Sequence, residues 1–352
     1  MPPQTIHIPG PTPAPIRRRR GSAVLAVFTQ IYMAGVLLAL YLARNDLDLE
    51  PLRFAVILGP RVAFLAPLLL LLPWALLGRH RWMTIELLLA LVLVGWPLMG
   101  LETAGLLADR SPGASSAVRP IRMVTYNIGP DPIRVDDFLA WLENEKVELL
   151  AIQEDSSRTE LSEKLKARGW HQNRFGYLFS RYPILAESEE LPAEFGGNRI
   201  YPGHLNLVQI RKEKSDFFFG TAHGPSLRGA FHNYADHFDS DELANTLRWQ
   251  HRQMQRIAAM MDANDNLPLV VGGDFNVPPG SIYAMPLEKR FKDAFVETGS
   301  GYGFTFPTKF PWLRLDRFYH SRGFRPLRTV VGPNFGSDHL PVLAEMEITE
   351  ND

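Results

Sequence analysis

A chain of 352 residues can hold one large domain or two ordinary ones, and its formal net charge of −1 gives no general attraction to a polyanion. The absence of cysteine excludes disulfides, cysteine–zinc sites and thiol nucleophiles. The charge is unevenly distributed: residues 121–352 carry 26 Lys and Arg against 32 Asp and Glu, so they lack the basic excess typical of nucleic-acid binding.

The first third of the chain has the composition of a membrane region. Six prolines within residues 2–15, followed by "RRRR" at Arg17–Arg20, predict a disordered basic tail over residues 1–21. Residues 22–107 predict three transmembrane helices, because three apolar stretches are each long enough to cross a bilayer. These stretches are Ser22–Ala43, Phe54–Gly78 and Met83–Leu107. A cleaved signal peptide is the alternative for the first, but two further spans follow it and no small-residue cleavage site is evident.

The charges of the short loops predict the orientation of these spans. Arg17–Arg20 and the loop Gly78–Trp82 are basic, whereas the loop Arg44–Arg53 is net acidic. The positive-inside rule then puts the N-terminus in the cytoplasm and the C-terminal part outside it. Residues 108–120 predict a flexible linker, of a length that reaches only about 20 Å on average. Arg61 lies near one end of the second span, where we expect it to extend towards the interface.

From Ile121 onwards the pattern changes to alternating strands and helices, which predicts an α/β domain over residues 121–352. The predicted strands are 121–128, 148–154, 176–184, 204–212, 215–223, the run into Gly272, 303–307, 313–320, 327–332 and 340–348. The predicted helices are 131–147, 156–169 and 241–263, the first two with Asp131 and Ser156 as N-caps.

Six of the predicted strands have an acid, amide or imidazole at or near an end. These residues are Asn127, Glu154, His223, Asp274 with Asn276, Asp316, and Asp338 with His339. Each one alone has an ordinary explanation as a turn former, a helix cap or a buried packing residue. Together they predict a site, because the strands of one fold can share a rim.

The ordered motifs "YNI", "QED", "SRYPI", "TAH", "GGDFN", "LDR" and "SDH" resemble those of the endonuclease/exonuclease/phosphatase superfamily, over residues 121–347. The resemblance implies a four-layer α/β sandwich, in which two packed mixed sheets are flanked by helices and the site lies at their common edge. It also implies a metal-dependent phosphoric ester hydrolase. Such a reaction needs a cation for the phosphoryl oxygens, an activated water and a proton for the leaving group.

The resemblance implies a role for each residue at the strand ends. Glu154 is the expected principal ligand of Mg²⁺ or Mn²⁺, with Asn127 beside it and Asp338 nearby. Asp274 is expected to position or deprotonate the attacking water, and Asn276 to hold a phosphate oxygen.

Two histidines complete this expected set. His223 and His339 are expected to contact the phosphate, with His339 stabilising the transition state or protonating the leaving group. Asp316 is expected to orient His339 and raise its pKa.

The segments next to these residues carry further expectations. An extended tip would put Asp274 and Asn276 on the same side, with Gly272 and Gly273 admitting the substrate. Arg181 and Tyr182 are expected to be structural. His232 and His237 lie in a polar insertion over residues 224–240, whose interpretation as a solvated loop is preferred to metal ligation. Five arginines are candidates for a phosphate-binding patch near the site: Arg314, Arg317, Arg322, Arg325 and Arg328.

The substrate stays open between two kinds of phosphate. Three spans before this domain resemble a bacterial membrane-anchored subgroup that includes teicoplanin-resistance-type proteins, which favours a lipid-linked phosphate or diphosphate at the outer face of the membrane. An extracytoplasmic nuclease is the alternative enzyme, with nucleic acid as its substrate. A catalytically inactive, membrane-tethered binding module is the alternative of another class, but Glu154, Asp274, Asn276 and His339 are all present. No protein partner can be inferred.

Overall fold

The structure, a computed structural model, describes residues 17–45, 49–107, 119–154, 157–188, 204–226, 240–264 and 266–349. They form an N-terminal helical region followed by an α/β domain. The helical region consists of α1 (Arg17–Arg44), α2 (Glu50–Leu58), a 3₁₀ turn (Arg61–Leu65), α3 (Ala66–Leu77), α4 (Arg81–Leu93), a π turn (Val94–Leu98) and α5 (Ala104–Leu107).

Two helical segments are long and apolar enough to cross a membrane, Gly21–Arg44 and Arg81–Leu98. The second predicted span is not one continuous helix, because Leu52–Leu58 and Arg61–Leu77 meet at 94°. The physical reason is Pro60 at the junction, which has no backbone N–H to continue the helix. The number of candidate spans is therefore two, or three if the two helices of the bent pair together form a single span.

Arg61 does not extend towards an interface as expected. Its guanidinium donates hydrogen bonds to the carbonyls of Val56, Ile57 and Leu98 at 3.1, 3.0 and 2.6 Å. The guanidinium therefore donates to carbonyl groups that have no partner within α2 because the helix ends there. The same side chain also links the end of α2 to the end of the π turn.

The predicted tail and linker are only partly covered by the described residues. Helix α1 begins at Arg17, so the four arginines lie in its first turns and not in the tail. Residues 1–16 and 108–118 are outside the described residues, as are Ser156, His232 and His237.

The α/β domain contains two six-stranded sheets, which confirms the mixed α/β fold. The first sheet has the order β11-β12-β1-β2-β4-β3, and the second has the order β5-β6-β7-β8-β10-β9. The strands are β1 (Ile121–Asn127), β2 (Leu149–Gln153), β3 (His171–Gln172), β4 (Leu178–Ser180), β5 (Ile184–Glu187), β6 (His204–Lys212), β7 (Ser215–His223), β8 (Leu269–Asp274), β9 (Lys292–Asp293), β10 (Asp316–His320), β11 (Phe324–Val331) and β12 (Val342–Ile348). The remaining helices are α6 (Val135–Asn144), α7 (Arg158–Ala167), α8 (Ser240–Ala263), α9 (Met285–Glu288) and α10 (Ala294–Thr298).

The two sheets pack face to face, and helices cover their outer faces. Met123 and Leu149 of the first sheet share a buried cluster with Phe219 and Phe318 of the second. Helices α6 and α7 cover the outer face of the first sheet, and α8 covers that of the second. Because the central strands are buried on both faces, their sequences are almost entirely apolar.

Three details of the predicted elements are wrong. Residues 176–184 form β4 in one sheet and β5 in the other, because the chain turns at Arg181–Tyr182 before Pro183. Residues 303–307 form no strand and contribute only an isolated bridge between Phe306 and Leu313. Helix α6 begins at Val135 and not at residue 131, so Asp131 is not its N-cap.

The helical region contacts the α/β domain at one end. The backbone N–H of Ile282 donates to the carbonyl of Ala43, at the end of α1, at 3.0 Å. Glu102 and Gly301 exchange two backbone hydrogen bonds of 2.8 Å. Apolar residues of α1, α2 and the π turn lie in the same buried cluster as those of α8. The two parts are therefore joined by packing as well as by the chain.

Candidate active site

Strand ends from both sheets bring the predicted residues together at one rim. Asp316, the first residue of β10, is directly opposite Asp274, the last residue of β8. His223 ends β7 at the same level of the second sheet. Asn127 ends β1 in the first sheet. The loop before β12 brings His339 to the same place from the other side.

One carboxylate oxygen, Asp274 Oδ2, is at the centre of this group. It accepts hydrogen bonds from Asn127 Nδ2 at 3.0 Å and from Asn276 Nδ2 at 3.1 Å. The Nε2 atoms of His339 and His223 lie 3.7 and 3.8 Å from it. Asp274 is only 1% exposed, so these neighbours compensate the cost of burying its charge.

His339 and Asp316 form a buried pair beside this oxygen. His339 Nδ1 and Asp316 Oδ2 are 2.8 Å apart. Burial of the imidazole opposes its protonation, but attraction to Asp316 and Asp274 outweighs this and raises the pKa of His339 to about 9. Burial also raises the pKa of Asp316, while the attraction of His339 acts against that rise. The imidazole is therefore protonated at neutral pH.

Asn127 links the two sheets at the rim. Its Nδ2 donates to Glu154 Oε1 at 3.1 Å as well as to Asp274, and its Oδ1 accepts from the backbone N–H of Gly129 at 2.9 Å. Glu154 has a φ of 63°, in the left-handed region that non-glycine residues rarely adopt. Backbone strain of this kind is concentrated at functional sites.

Asp338 lies close to this pair, on the far side of Gly129. A Cβ added at Gly129 would lie 3.2 Å from Asp338 Oδ1 and 2.9 Å from Ser337 Oγ. Ser337 Oγ donates to the carbonyl of Asn127 at 2.8 Å. The exit of β1 and the loop before β12 are thus packed tightly enough to need glycine at position 129.

Asp274 and Asn276 do come together, but not on an extended tip. Asn276 has a φ of 54°, and its backbone N–H donates to Asp274 Oδ1 at 2.9 Å, which closes a tight turn. Its Nδ2 also donates to the carbonyl of Gly224 at 3.0 Å. Both amide hydrogens of Asn276 are therefore engaged, and holding a phosphate oxygen would require the exchange of one of these bonds.

The two glycines before Asp274 serve packing and not the approach of a substrate. A Cβ at Gly272 would lie 2.4 Å from the Phe318 ring, and one at Gly273 would lie 1.9 Å from the carbonyl oxygen of Ala222. Glycine is needed here because neighbouring strand and side-chain atoms occupy the space.

The oxygen-rich end of the site fits a hard divalent cation. Asp316 Oδ1 is buried without a hydrogen-bond partner among the described residues, and Glu154 Oε1 accepts from Asn127 Nδ2 on the same rim. Asp274, Asp316 and His339 offer ligand atoms within 4.8 Å of one another, a group that differs from the predicted ligand set. Glu154, Asn127 and Asp338 stay the ligands that the resemblance implies, and Asp274, Asp316 and His339 form a second candidate group.

Three supporting residues were missed in the sequence. The Phe306 ring packs on the His339 imidazole with centroids 4.7 Å apart. Thr305 Oγ1 accepts from the backbone N–H of Asp316 at 3.2 Å, and Ser337 Oγ accepts from that of His339 at 3.1 Å. Ser337 stands inside the quoted "SDH" motif, so a signal was present for it. Nothing in the residue pattern pointed to Thr305 or Phe306.

The residues set aside as structural are structural. Arg181 donates to the carbonyl of Arg168 at 2.7 Å and stacks on Trp170. The Tyr182 hydroxyl bonds to Glu148.

The five arginines do not form one patch. Arg314 pairs with Asp293, Arg325 with Glu347 and Arg328 with Glu145, while Arg322 is exposed at the far end of β10. Only Arg317 supports the site, since its Nη2 donates to the carbonyl of Val277 just beyond Asn276 at 2.6 Å.

Comparison with known proteins agrees with this geometry. The model of the Endonuclease/Exonuclease/phosphatase family matches residues 124–339. The chain belongs to that family. It is also 27% identical over 191 residues to the uncharacterized protein YbhP of Escherichia coli K12, a match that covers 48% of this chain and 74% of that protein.

Solved structures of the family share the fold. The endonuclease/exonuclease/phosphatase family protein from Bacteroides thetaiotaomicron gives a TM-score of 0.51 at 15% identity, covering 66% of this chain and 100% of its own. The corresponding protein from Bacteroides vulgatus gives 0.52 at 16% identity, with the same coverage. Family members are phosphoesterases and nucleases, typically dependent on Mg²⁺, and this chain is accordingly a phosphoric ester hydrolase.

Proposed function

We propose that this protein is a membrane-anchored, divalent-metal-dependent phosphoesterase that hydrolyses a lipid-linked phosphate ester or diphosphate at the outer face of the membrane. The observation that carries the proposal is the docking of the α/β domain against one end of an apolar helical region. Membership of the family accounts for the hydrolytic chemistry. The apolar helical region favours a substrate that lies in the membrane.

The buried group around Asp274 supports phosphoester hydrolysis. Asp274 Oδ2, with donors on several sides, is suited to orient and deprotonate a water molecule. Protonated His339, held by Asp316, is suited to neutralise a phosphoryl oxygen or to give its Nε2 proton to the leaving group. A divalent cation held by Glu154, Asn127 and Asp338, with Mg²⁺ expected and Mn²⁺ able to replace it, would supply further neutralisation of the phosphoryl oxygens.

The helical region supports a membrane anchor. Helices α1, α3 and α4 contact one another and present large apolar side chains outwards, among them Ile31, Leu69 and Leu77 at 62%, 76% and 87% exposure. Exposed apolar surface of this extent is typical of helices that face lipid. We propose three spans, with the bent pair of α2 and α3 providing the second.

The direction of these helices supports an extracytoplasmic site. Ala43, near the end of α1, bonds to the α/β domain, whereas Leu25, near its start, packs with α3 and α4. The start of α1 and the α3–α4 loop, with Arg79, therefore lie at the end of the helical region away from the α/β domain. Helix α1 has 28 residues and is therefore about 42 Å long, close to the full thickness of a bilayer. With the basic end in the cytoplasm, the active site is outside. Parallel C-terminal fusions to alkaline phosphatase and to a fluorescent protein test this orientation, and a fluorescent, phosphatase-inactive result would reverse it.

The substrate is tested by assaying the full chain in nanodiscs with Mg²⁺ against a panel. The panel contains polyprenyl diphosphate, phosphoinositides, sphingomyelin, plasmid DNA and RNA. We expect release of phosphate or head group from a lipid, with little dependence on salt. Faster degradation of DNA, falling steeply with salt, would replace the proposal with an extracytoplasmic nuclease. No turnover of any substrate would favour an inactive binding module.

A further inference from the structure

A cavity of about 630 Å³ lies where the helical region meets the α/β domain. One wall is the end of the membrane-facing helices, from Trp96 to Gly100. The opposite wall comes from the α/β domain and includes Phe304, Trp312 and Val296. A volume of this size is typical of a site for a small molecule.

The aromatic lining of the cavity favours a hydrocarbon ligand. Tyr302 and Phe304 stack with their ring centroids 5.1 Å apart, and both face the cavity. Trp312 also lines it and donates its Nε1–H to the carbonyl of Leu58 at 3.0 Å, so its polar atom is already satisfied. The rings therefore offer apolar surface, and the indole donor among them is already paired.

Several charged groups of the lining are compensated within the protein. Arg314 pairs with Asp293, and Glu297 pairs with Lys292. Arg61 donates to the carbonyls of Val56, Ile57 and Leu98. These charges are therefore engaged with protein groups around the apolar part of the cavity.

Two segments of the cavity lining adjoin or contact residues next to the active site. Leu313 lines the cavity, and its backbone N–H donates to the carbonyl of Phe306 at 2.9 Å. Phe306 in turn packs on His339. On the other side, Pro278–Gly280 line the cavity directly after the turn that carries Asn276. Both segments that border the cavity therefore lead within a few residues to the catalytic group.

We propose that this cavity binds the hydrocarbon chain of an anionic phospholipid or polyprenyl phosphate while its phosphate is presented to Asp274 and His339. This rests on the proposed function, and it specifies which part of the protein selects a lipid substrate. An isoprenoid chain and an acyl chain are both flexible hydrocarbons, and both are expected to bind in the cavity.

The first experiment measures hydrolysis by the full chain in nanodiscs with Mg²⁺. The substrates are 4-nitrophenyl phosphate diesters with methyl, butyl, hexyl and octyl groups, which are monomeric in water. We expect KM to fall along the series by up to about fourfold for each methylene buried. Val296→Trp, a change at a 42% exposed position of the lining, is expected to remove this dependence and to leave the methyl ester unaffected. Leu185→Trp, at a 44% exposed position on β5 outside the lining, is the matched control.

The second experiment measures binding without turnover. A hexadecyl phosphate with a diazirine near the end of its chain is photolysed with the full chain in nanodiscs, and labelled peptides are mapped. We expect saturable labelling between Tyr302 and Leu313, reduced by Val296→Trp but not by Leu185→Trp. Labelling of Leu69, which faces outwards, serves as the internal reference for non-specific contact with lipid.

The outcomes separate the two proposals. Labelling of the cavity together with a chain-length effect supports the inference. Hydrolysis without a chain-length effect and without labelling between Tyr302 and Leu313 overturns it and leaves the proposed function standing. Labelling without hydrolysis of any phosphoester, lipid or nucleic acid overturns the proposed function, and with it the identification of the bound lipid as substrate.

Discussion

The pair of His339 and Asp316 gives the most direct test of the proposed chemistry. Replacing Asp316 by Asn keeps the size of the side chain but removes the charge that holds the imidazole. The hydrogen bond of 2.8 Å between His339 Nδ1 and Asp316 Oδ2 becomes one between an imidazole and a neutral amide. We expect kcat to fall while KM changes little, because the lost interaction supports the imidazole and not the bound substrate.

The size of the effect follows from the geometry. A hydrogen bond to a charged group contributes about 1.5–3 kcal/mol, against about 1 kcal/mol for a neutral one. If the difference of about 0.5–2 kcal/mol between the two is expressed in the transition state, its loss lowers kcat by about 2- to 30-fold. The upper part of this range is expected, since both side chains are almost fully buried and water cannot replace the lost charge.

The assay is hydrolysis of bis(4-nitrophenyl) phosphate by the full chain, with the thermal midpoint measured on the same samples. Glu347→Gln is the matched control, because it removes the charge of another buried carboxylate that is paired with Arg325, away from the rim. A normal kcat in a folded Asp316→Asn variant would refute the role assigned to this pair. An equal loss of kcat in both variants would show that the effect comes from lower protein stability.

Three further predictions address the metal site, the packing and the pH dependence of stability. Glu154→Gln is expected to remove most activity, as is excess EDTA, and full turnover in either condition would contradict the metal assignment. Gly273→Ala is expected to lower the free energy of unfolding by about 1–3 kcal/mol, measured by thermal denaturation, because its Cβ would meet the carbonyl oxygen of Ala222 at 1.9 Å. Burial opposes ionisation of Glu297, but hydrogen bonds from His320 and Lys292 lower the pKa of Glu297 to about 2 from an ordinary 4.5. This carboxylate therefore stabilises the fold above pH about 4.5 and loses that effect as the pH falls through about 2. Glu297→Gln should lower the thermal midpoint at pH 7 by more than at pH 3, and an equal difference at both values would contradict this sign.

The positions of the catalytic group were predictable because they depend on strand ends. Asp274 ends the apolar strand β8, and a two-sheet fold has one rim where such ends meet. The predicted strand 313–320 contains Asp316 in its interior, whereas β10 begins at that residue. The ordered motifs added the remaining members, including Glu154 and His339. What the pattern could not predict was the local backbone, since Asn276 and Glu154 both adopt a positive φ that their residue types rarely adopt.

Other errors arose where tertiary contacts override local preference. Residues 303–307 alternate like a strand, yet they form a loop because Thr305 and Phe306 are used to support Asp316 and His339. The role of Gly272 was wrongly predicted because the atoms that exclude a side chain there, the Phe318 ring and Thr125, are distant in sequence. A local sequence pattern carries no information about contacts between residues that are distant in the chain.

The same limit applies to how the α/β domain is held on the helical region. A flexible linker over residues 108–120 was expected to keep the site within reach of lipid head groups by its shortness. The described contacts give a different reason: the paired backbones of Glu102 and Gly301, and the bond from Ile282 to Ala43, hold the α/β domain directly on the helices. A domain fixed in this way presents its rim at a constant height and angle, whereas a tethered one samples many. It also follows that a fragment lacking the helices would expose apolar residues of α8 that α2 now covers. Substrate selection should therefore be measured on the full chain, where the cavity between the two parts is complete.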